Sequence, residues 1–351
     1  MGLNEGGWPA VLSRLLAGGD LSGDEAAEAL AAVLSGEATD GQIGAFVTAL
    51  RMKGETVQEM SGFLRAMLAH AEPLSIPGDL VDTCGTGGDR SRSINVSTMA
   101  ALVVAGAGAR VCKHGGRAAS SAAGSADVLE ALGVVIDLGA EGVARCVAEV
   151  GMGFCFAPRF HPAMRYAGPV RRELGVATVF NFLGPLANPA RARHQVVGVS
   201  DPAMAEKMLG VLMANGTRRA MVVHGHDGLD ELSTTGPSTV LEAHSTGPDS
   251  TEPVIGRTTV DATSFGLARA TLDDLRGGDA ATNAEVVRRV LHGQPGAHRD
   301  IVVLNAAAAL VVAGRVDDLA AGVEQAGSAI DDGRAALVLD DLVRVSNEAA
   351  G

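Results

Sequence analysis

The run Asp82-Thr83-Cys84-Gly85-Thr86-Gly87-Gly88-Asp89 and, just beyond it, Asn95-Val96-Ser97-Thr98 lie between a short apolar stretch at Leu80-Val81 and an Ala/Val-rich segment from Met99 to Ala109. A strand, a glycine loop and a helix start, in that order, make a cradle for phosphate. Glycine lets bare backbone N–H groups approach an anion, and a helix N-terminus adds a favourable field. The carboxylate of Asp89 at the loop's end is more than a plain phosphate needs, and points to a ligand that also carries hydroxyls or a metal. A turn with no ligand is the alternative, since glycine runs are common punctuation.

A second glycine-rich block runs from Lys113 through His114, Gly115, Gly116, Arg117, Ala118, Ala119, Ser120 and Ser121 to Gly124, Ser125 and Asp127, after the apolar stretch Ala109 to Cys112. A lysine, an arginine and paired serines at a strand end suit a multiply charged oxyanion. Lysine occurs only at 53, 113 and 207, so its use inside this loop is selective. Two such loops imply a ligand with two separated phosphate groups; a surface loop with incidental charge is the alternative.

A third element, His224-Gly225-His226-Asp227-Gly228-Leu229-Asp230-Glu231, follows the apolar run Ala220 to Val223. The adjacent carboxylates of Asp230 and Glu231 suit Mg²⁺, a hard cation that prefers oxygen ligands. Two metals could bridge and neutralise a departing pyrophosphate. A solvated acidic turn is the alternative. His224 and His226 have no cysteine or third histidine at zinc-ligand spacing and read as loop positions. Arg171, in Pro169-Val170-Arg171-Arg172-Glu173-Leu174, could receive an aromatic carboxylate with its two-pronged guanidinium, or pair with Glu173 as a structural ion pair.

These groups need a scaffold. Residues 1–72 read as short helices forming a small bundle, with capping boxes at Ser22/Glu25, Thr39/Gln42 and Thr56/Glu59. Pro73 and Pro77-Gly78 mark a boundary. Beyond it, strands are predicted at 79–83, 109–113, 133–137, 153–157, 195–199 and 219–224. Helices are predicted near 97–107, 124–132, 140–150, 202–215, 283–292, 300–313, 317–332 and 334–346. This alternation predicts an α/β fold, a mainly parallel sheet covered by helices, beside the N-terminal helical bundle. The domains read as 1–75 and 79–351. The proline-rich stretch 158–190 is expected to rejoin the bundle or line the cleft, and residues 236–280 read as turns and short strands.

Composition bounds the function. The chain has 351 residues, 47% hydrophobic residues and a net charge of −13, which argues against a nucleic-acid or acidic-membrane surface. No apolar run reaches the ~18 residues that span a bilayer, and no signal peptide is read at the N-terminus, so a cytoplasmic location is expected. Aromatic residues are only 3%, too few for a base-stacking platform. Cys84, Cys112, Cys146 and Cys155 form no CxxC pair and read as buried hydrophobes.

Taken together, the GTGGD loop, NVST, the Lys113–Asp127 block, FAPRFHPAM, PVRRELG, TVFNFLGPLANP and VVHGHDGLDE resemble the anthranilate phosphoribosyltransferase family over nearly the whole chain. More distant resemblance is to pyrimidine nucleoside phosphorylases. The resemblance implies a homodimer joined through the helical domain. It implies transfer of phosphoribose from phosphoribosyl pyrophosphate (PRPP) to the amine of anthranilate in tryptophan biosynthesis, with magnesium. By the same resemblance Gly85, Gly88, Asp89, Ser93, Asn95, Val96, Ser97 and Thr98 would meet PRPP or its metal. So would Lys113, His114, Gly115, Gly116, Arg117, Ala118, Ala119, Ser120, Ser121 and Ser125. Ser97, Asp230 and Glu231 would hold metal. Gly85, Gly116 and Arg171 would meet anthranilate, and Lys113 and Arg117 would stabilise the leaving group. The family usually has asparagine where this chain has Gly116, so another aminobenzoate or aryl acid is an alternative acceptor. A nucleoside phosphorylase and a non-catalytic PRPP-binding regulator are further alternatives.

Overall fold

The structure, a computed structural model, describes residues 3–89, 91–118, 122–245 and 253–351. Four helices open the chain: α1 (Leu3–Leu16), α2 (Gly23–Leu34), α3 (Asp40–Lys53) and α4 (Val57–Ala69). All three predicted capping boxes are present. Ser22, Thr39 and Thr56 each accept from the backbone three residues on, and Glu25, Gln42 and Glu59 return the contact. Each box satisfies N–H groups that the helix itself leaves unpaired. The helices α2 and α4 touch almost backbone to backbone, because a Cβ on Gly62 would fall 2.1 Å from the Gly23 carbonyl oxygen.

The remainder is α/β. It comprises β1 (Val81–Gly85), α5 (Val96–Gly106), β2 (Val111–Gly115), α6 (Ser125–Ala131), α7 (Ala140–Val150) and β3 (Met152–Phe156). Three short helices follow, α8 (Ala157–Phe160), α9 (Gly168–Leu174) and α10 (Val179–Leu183). Then come β4 (His194–Gly198), α11 (Ala205–Ala214), β5 (Arg219–Gly225), β6 (Ser238–His244) and β7 (Val254–Val260). Helices α12 (Ala280–Leu291), α13 (Ala297–Val312), α14 (Leu319–Asp331) and α15 (Arg334–Ala350) complete the chain. The sheet order is β3-β2-β1-β4-β5-β6-β7; the first five strands are parallel and the last two antiparallel.

Sequence and structure differ at 133–137, which forms no strand. Val134, Ile136 and Leu138 are buried, so the alternation does mark one-sided packing. The segment is an extended link from α6 to α7 and bonds partly to a side chain: the Val135 N–H donates to Ser346 Oγ at 3.1 Å. In the other direction, 236–280 contains two seven-residue strands rather than short ones.

The sheet separates two hydrophobic cores. Val196, Met221, Val223 and Val240 face the core built by α5, α13 and α15. Their neighbours Val197, Val222 and Leu241 face α11 and the helical bundle, in one continuous cluster. Alternation along a strand accounts for this division. The 158–190 stretch rejoins the bundle: Ala167, Val170, Val179 and Phe180 share its core with Ile43, Phe46 and Phe63. Overpacking at the α2–α4 contact predicts that Gly62→Ala destabilises the protein by ~2 kcal/mol, read as a lower denaturation midpoint. An unchanged midpoint would mean that the two helices separate freely.

Candidate active site

The direction of winding reverses between β1 and β4. From β1 the chain runs outward to β2 and β3; from β4 it runs the other way to β5. Ligands of open α/β sheets bind in the crevice at the carboxyl ends of such strands. The loops after β1, β2, β4 and β5 all open on this edge, so the three sequence blocks converge there.

The tightest contact lies over the switch point itself. Gly85 and Gly198 are register partners on β1 and β4. A Cβ on Gly198 would fall 1.6 Å from the Asp230 carbonyl oxygen, and one on Gly85 would fall 2.2 Å from Asp230 Oδ2. The two missing side chains make the space into which the acidic loop settles. Asp230 Oδ2 accepts from the Gly87 N–H at 2.7 Å, so the glycine loop and the acidic loop are bonded directly.

The acidic loop is held from below. Asp227 accepts from the Leu229 N–H and from the hydroxyls of Ser233 and Thr235, closing the turn. His224 Nδ1 lies 2.7 Å from the Val199 carbonyl oxygen and His226 Nε2 lies 2.9 Å from Thr239 Oγ1, so both histidines serve the loop.

Electrostatics mark this crevice. Burial, followed by the Asp89 charge, raises the Asp230 carboxyl to about 6. Burial and the Asp230 charge push Glu231 well above the usual carboxylate range, against the opposing pull of Lys113 and the Ser97 N–H at the start of α5. Paired acids lacking a full complement of positive charge are a functional-site signature. Two carboxylates beside the Ser97 hydroxyl are hard oxygen donors that fit Mg²⁺. Among the described residues no group of three His, Cys, Asp or Glu side chains stands ready to hold a metal. Mg²⁺ commonly completes such a sparse set with water and substrate phosphates.

Lys113 is buried on β2. Its ammonium donates to the Thr83 carbonyl and lies 3.4 Å from Ser97 Oγ, between Asp82 and Glu231. It is thus a cation inside the crevice floor, beneath the α5 N-terminus. Asp82 accepts from the His114 N–H at 3.2 Å and from Asn188 Nδ2 at 2.8 Å. Asn188 also donates to the Cys112 carbonyl at 2.7 Å, which fastens the 184–190 segment under β1 and β2.

The other predicted residues divide. Asp89, Ser91 and Ser93 form a hydroxyl-carboxylate cluster, with Ser91 Oγ 2.7 Å from Asp89 Oδ2 and 3.1 Å from Ser93 Oγ. Gly88 is exposed with φ +80°, in the left-handed region that favours glycine. Val96 and Thr98 begin α5; Thr98 is buried and its Oγ1 has no partner. Asn95 is already engaged: it donates to the Ala123 carbonyl and accepts from Asn283. Arg117 is turned away into ion pairs with Asp127 and Glu130 at 2.9 and 2.8 Å. Asp127 also accepts from the Ala118 and Gly124 N–H groups, closing the loop over α6. Ser125 packs on Gly115, where a Cβ would meet its Oγ at 2.2 Å. Ala119, Ser120 and Ser121 lie outside the described residues.

A pair of buried histidines adjoins the end of β2. His114 and His161 are buried with ring centroids 5.1 Å apart, and desolvation pushes both below the usual imidazole range. His161 Nε2 lies 2.8 Å from the Ala187 carbonyl oxygen, while His114 Nε2 has no partner. Gly116 faces open space: the nearest atom to a Cβ there is Ala157 Cβ at 3.9 Å. Arg171 on α9 lies over the Phe180 ring at 5.2 Å. Glu173 does not pair with it, and no described carboxylate does. A half-buried guanidinium without a counter-ion is a receptor for an anion. A cavity of about 1010 Å³ between α11 and the β6–β7 edge, lined by Leu209, Met213, Leu241 and Ile255, holds none of these residues.

Residues 77–336 match the α/β domain of a glycosyl transferase family, and residues 9–71 match that family's helical bundle domain. An anthranilate phosphoribosyltransferase from Nocardioides sp. is 57% identical over 96% of this chain and 98% of its own. The chain belongs to the anthranilate phosphoribosyltransferase family. That of Roseiflexus castenholzii is 51% identical over 95% of this chain and 97% of its own. Among solved structures, the Thermus thermophilus anthranilate phosphoribosyltransferase superposes with a TM-score of 0.89 at 41% identity, covering 96% of this chain and 99% of that one. The Saccharomyces cerevisiae anthranilate phosphoribosyltransferase in complex with PRPP and Mg superposes with a TM-score of 0.88 at 26% identity, covering 98% and 99%. As a member of the anthranilate phosphoribosyltransferase family the chain is a pentosyltransferase. No helix among the described residues is long and apolar enough to cross a membrane.

Asp230 yields a signed prediction. Its carboxyl is raised from 3.8 to about 6, so between these values the folded metal-free protein holds a proton that the unfolded chain releases. Its contribution to stability therefore grows as pH falls through about 6. Asp230→Asn keeps an acceptor for Gly87 without the charge. In metal-free buffer its melting temperature should exceed that of the parent at pH 7, with the difference shrinking towards pH 5. A difference independent of pH would remove the buried ionisation.

Proposed function

We propose that the protein transfers the phosphoribosyl group of PRPP to the amine of anthranilate, releasing pyrophosphate, as a cytoplasmic enzyme of tryptophan biosynthesis. The observation that carries this reading is the convergence of a glycine loop, the α5 N-terminus, the buried Asp230 carboxylate and the half-buried Glu231 carboxylate at the β1/β4 switch point. Arg171, which pairs with no carboxylate among the described residues, supports an anionic acceptor. The yeast relative's complex with PRPP and Mg supports the donor.

In this reading Gly88 and Asp89 line the phosphate site and the Asp89–Ser93 cluster meets ribose or phosphate, while the Gly87 and Ser97 N–H groups serve Asp230 and Glu231. Asp230, Glu231 and Ser97 would hold magnesium, with two ions per site expected, and the metal would supply positive charge to offset that of the pyrophosphate. Lys113 sets a fixed positive field beneath the leaving group. As the bond from C1 to pyrophosphate breaks, positive charge grows on the ribose and negative charge on the diphosphate. Stabilising that separation is the main catalytic task. For Arg117 to join in, its guanidinium must leave Asp127 and Glu130. Arg171 takes the anthranilate carboxylate and orients the neutral amine towards C1. An aryl amine needs no deprotonation before attack; once its nitrogen has bonded to C1 it sheds one proton to the departing pyrophosphate or to water, so no general base is assigned. The neutral rings of His114 and His161 supply an uncharged wall. Two copies join through the helical bundle, where Leu16 and Met52 are 76% and 83% exposed.

Following pyrophosphate release from PRPP and Mg²⁺ with anthranilate and other aminobenzoates tests the reading. Anthranilate should be turned over. Arg171→Ala should raise the KM for anthranilate roughly 10–100-fold and leave that for PRPP nearly unchanged. Equal loss for both substrates would move the acceptor elsewhere. The open space at Gly116 favours a second reading, a site that also admits bulkier aryl acids. Gly116→Asn should fit without loss of thermal stability and lower turnover of bulkier acids relative to anthranilate. An unchanged ratio would separate Gly116 from the acceptor.

A further inference from the structure

We infer that Asn305, on the central helix α13, is a positioning residue for the Asp230–Glu231 pair, acting through a two-way amide clamp on the Leu232 peptide. This rests on the metal-holding role proposed above for the pair.

Asn305 is 3% exposed in a helix whose other residues from Ile301 to Val312 are all apolar. Its side chain spends its hydrogen bonds on the acidic loop. Oδ1 accepts from the Leu232 N–H at 2.8 Å. Nδ2 donates back to the Leu232 carbonyl at 2.8 Å and to the Ile301 carbonyl at 2.9 Å. Leu232 directly follows Glu231 and is itself fully buried. The clamp thus fixes the peptide on the carboxyl side of Glu231, while the Gly87 N–H and the glycine floor fix Asp230 on the other side. Asp227 and its two hydroxyl partners close only the outer turn.

The physical need is specific. Two adjacent acidic side chains can hold one ion together only if the backbone that carries them keeps one conformation. A buried residue whose N–H and C=O are both bonded resists displacement, since either group left unpaired is costly. A leucine of similar size at 305 would fill the volume and strand both groups. Residues that orient metal-holding side chains typically change affinity 10–100-fold when altered.

The test uses the full chain with Mn²⁺ as probe, its binding followed by electron paramagnetic resonance in the presence of PRPP. Asn305→Ala and Asn305→Asp should each weaken Mn²⁺ binding roughly 10-fold or more. The KM for anthranilate should stay within about twofold, because Arg171 is not attached to this loop. In the parent protein, hydrogen exchange should find the Leu232 amide protected like the core of α13, not like a surface turn. If Mn²⁺ affinity in the folded variants equals that of the parent, the assignment to Asn305 is overturned while the metal reading stands. If the parent binds no Mn²⁺ that Asp230→Asn with Glu231→Gln abolishes, both fall. Should the variants not fold, exchange in the parent decides: rapid exchange at Leu232 overturns the clamp, and protection supports it.

Discussion

The site depends on one close approach, the seating of the Asp230 backbone where β1 and β4 carry glycine instead of side chains. A peptide carbonyl occupies the place of a Cβ at Gly198, so no other residue fits there without moving the loop. That approach buries Asp230 and half-buries Glu231, and sets them against the glycine loop and the start of α5. Their raised proton affinities follow from that placement, led by desolvation. The crevice is in this sense held in an electrostatically unfavourable state that a bound cation would relieve. Lys113 offsets part of the repulsion from below, and Asp82 and Asn188 in turn hold the end of β2 that carries it.

The same edge of the sheet brings a chemically different half-site. The crevice at the β1/β4 switch point is built from backbone N–H groups, hydroxyls and carboxylates. At the end of β2 lie the buried imidazoles of His114 and His161, and on α9 the Arg171 guanidinium lies over the Phe180 ring with no carboxylate partner among the described residues. The segment 158–190 makes the junction, since it carries His161 and Arg171 and then passes beneath β1, where Cys84 Sγ donates to the Pro185 carbonyl at 3.2 Å.

Much of this is legible in the sequence because it is local. Capping boxes, the strand–glycine loop–helix order and the Asp-Glu pair each need only a few neighbouring residues, and all appear as read. The segment 133–137 reads as a strand, wrongly, because burial on one face has the same pattern in a strand and in an extended link without ladder partners. Arg117 and Asn95 look free in the sequence, yet tertiary contacts with Asp127, Glu130 and Asn283 engage them. Asn305 does not stand out as a site residue at all. Its one signal is a lone amide in an Ala/Val/Leu helix, and its partner lies 73 residues away. The histidine pair and the glycine floor are hidden for the same reason: proximity across the sheet leaves no spacing to count.

The core of the helical bundle has a consequence for how the chain is made. Ile43, Phe46 and Phe63 are covered in part by Val170, Val179 and Phe180, and by α11 beyond them. During synthesis the first four helices therefore leave the ribosome well before the residues that cover them. At ~5–20 residues per second that interval lasts several seconds or more, with apolar flanks bare. The bundle is first in sequence but completed late, and the nascent chain is open to wrong partners until α9 and α10 arrive.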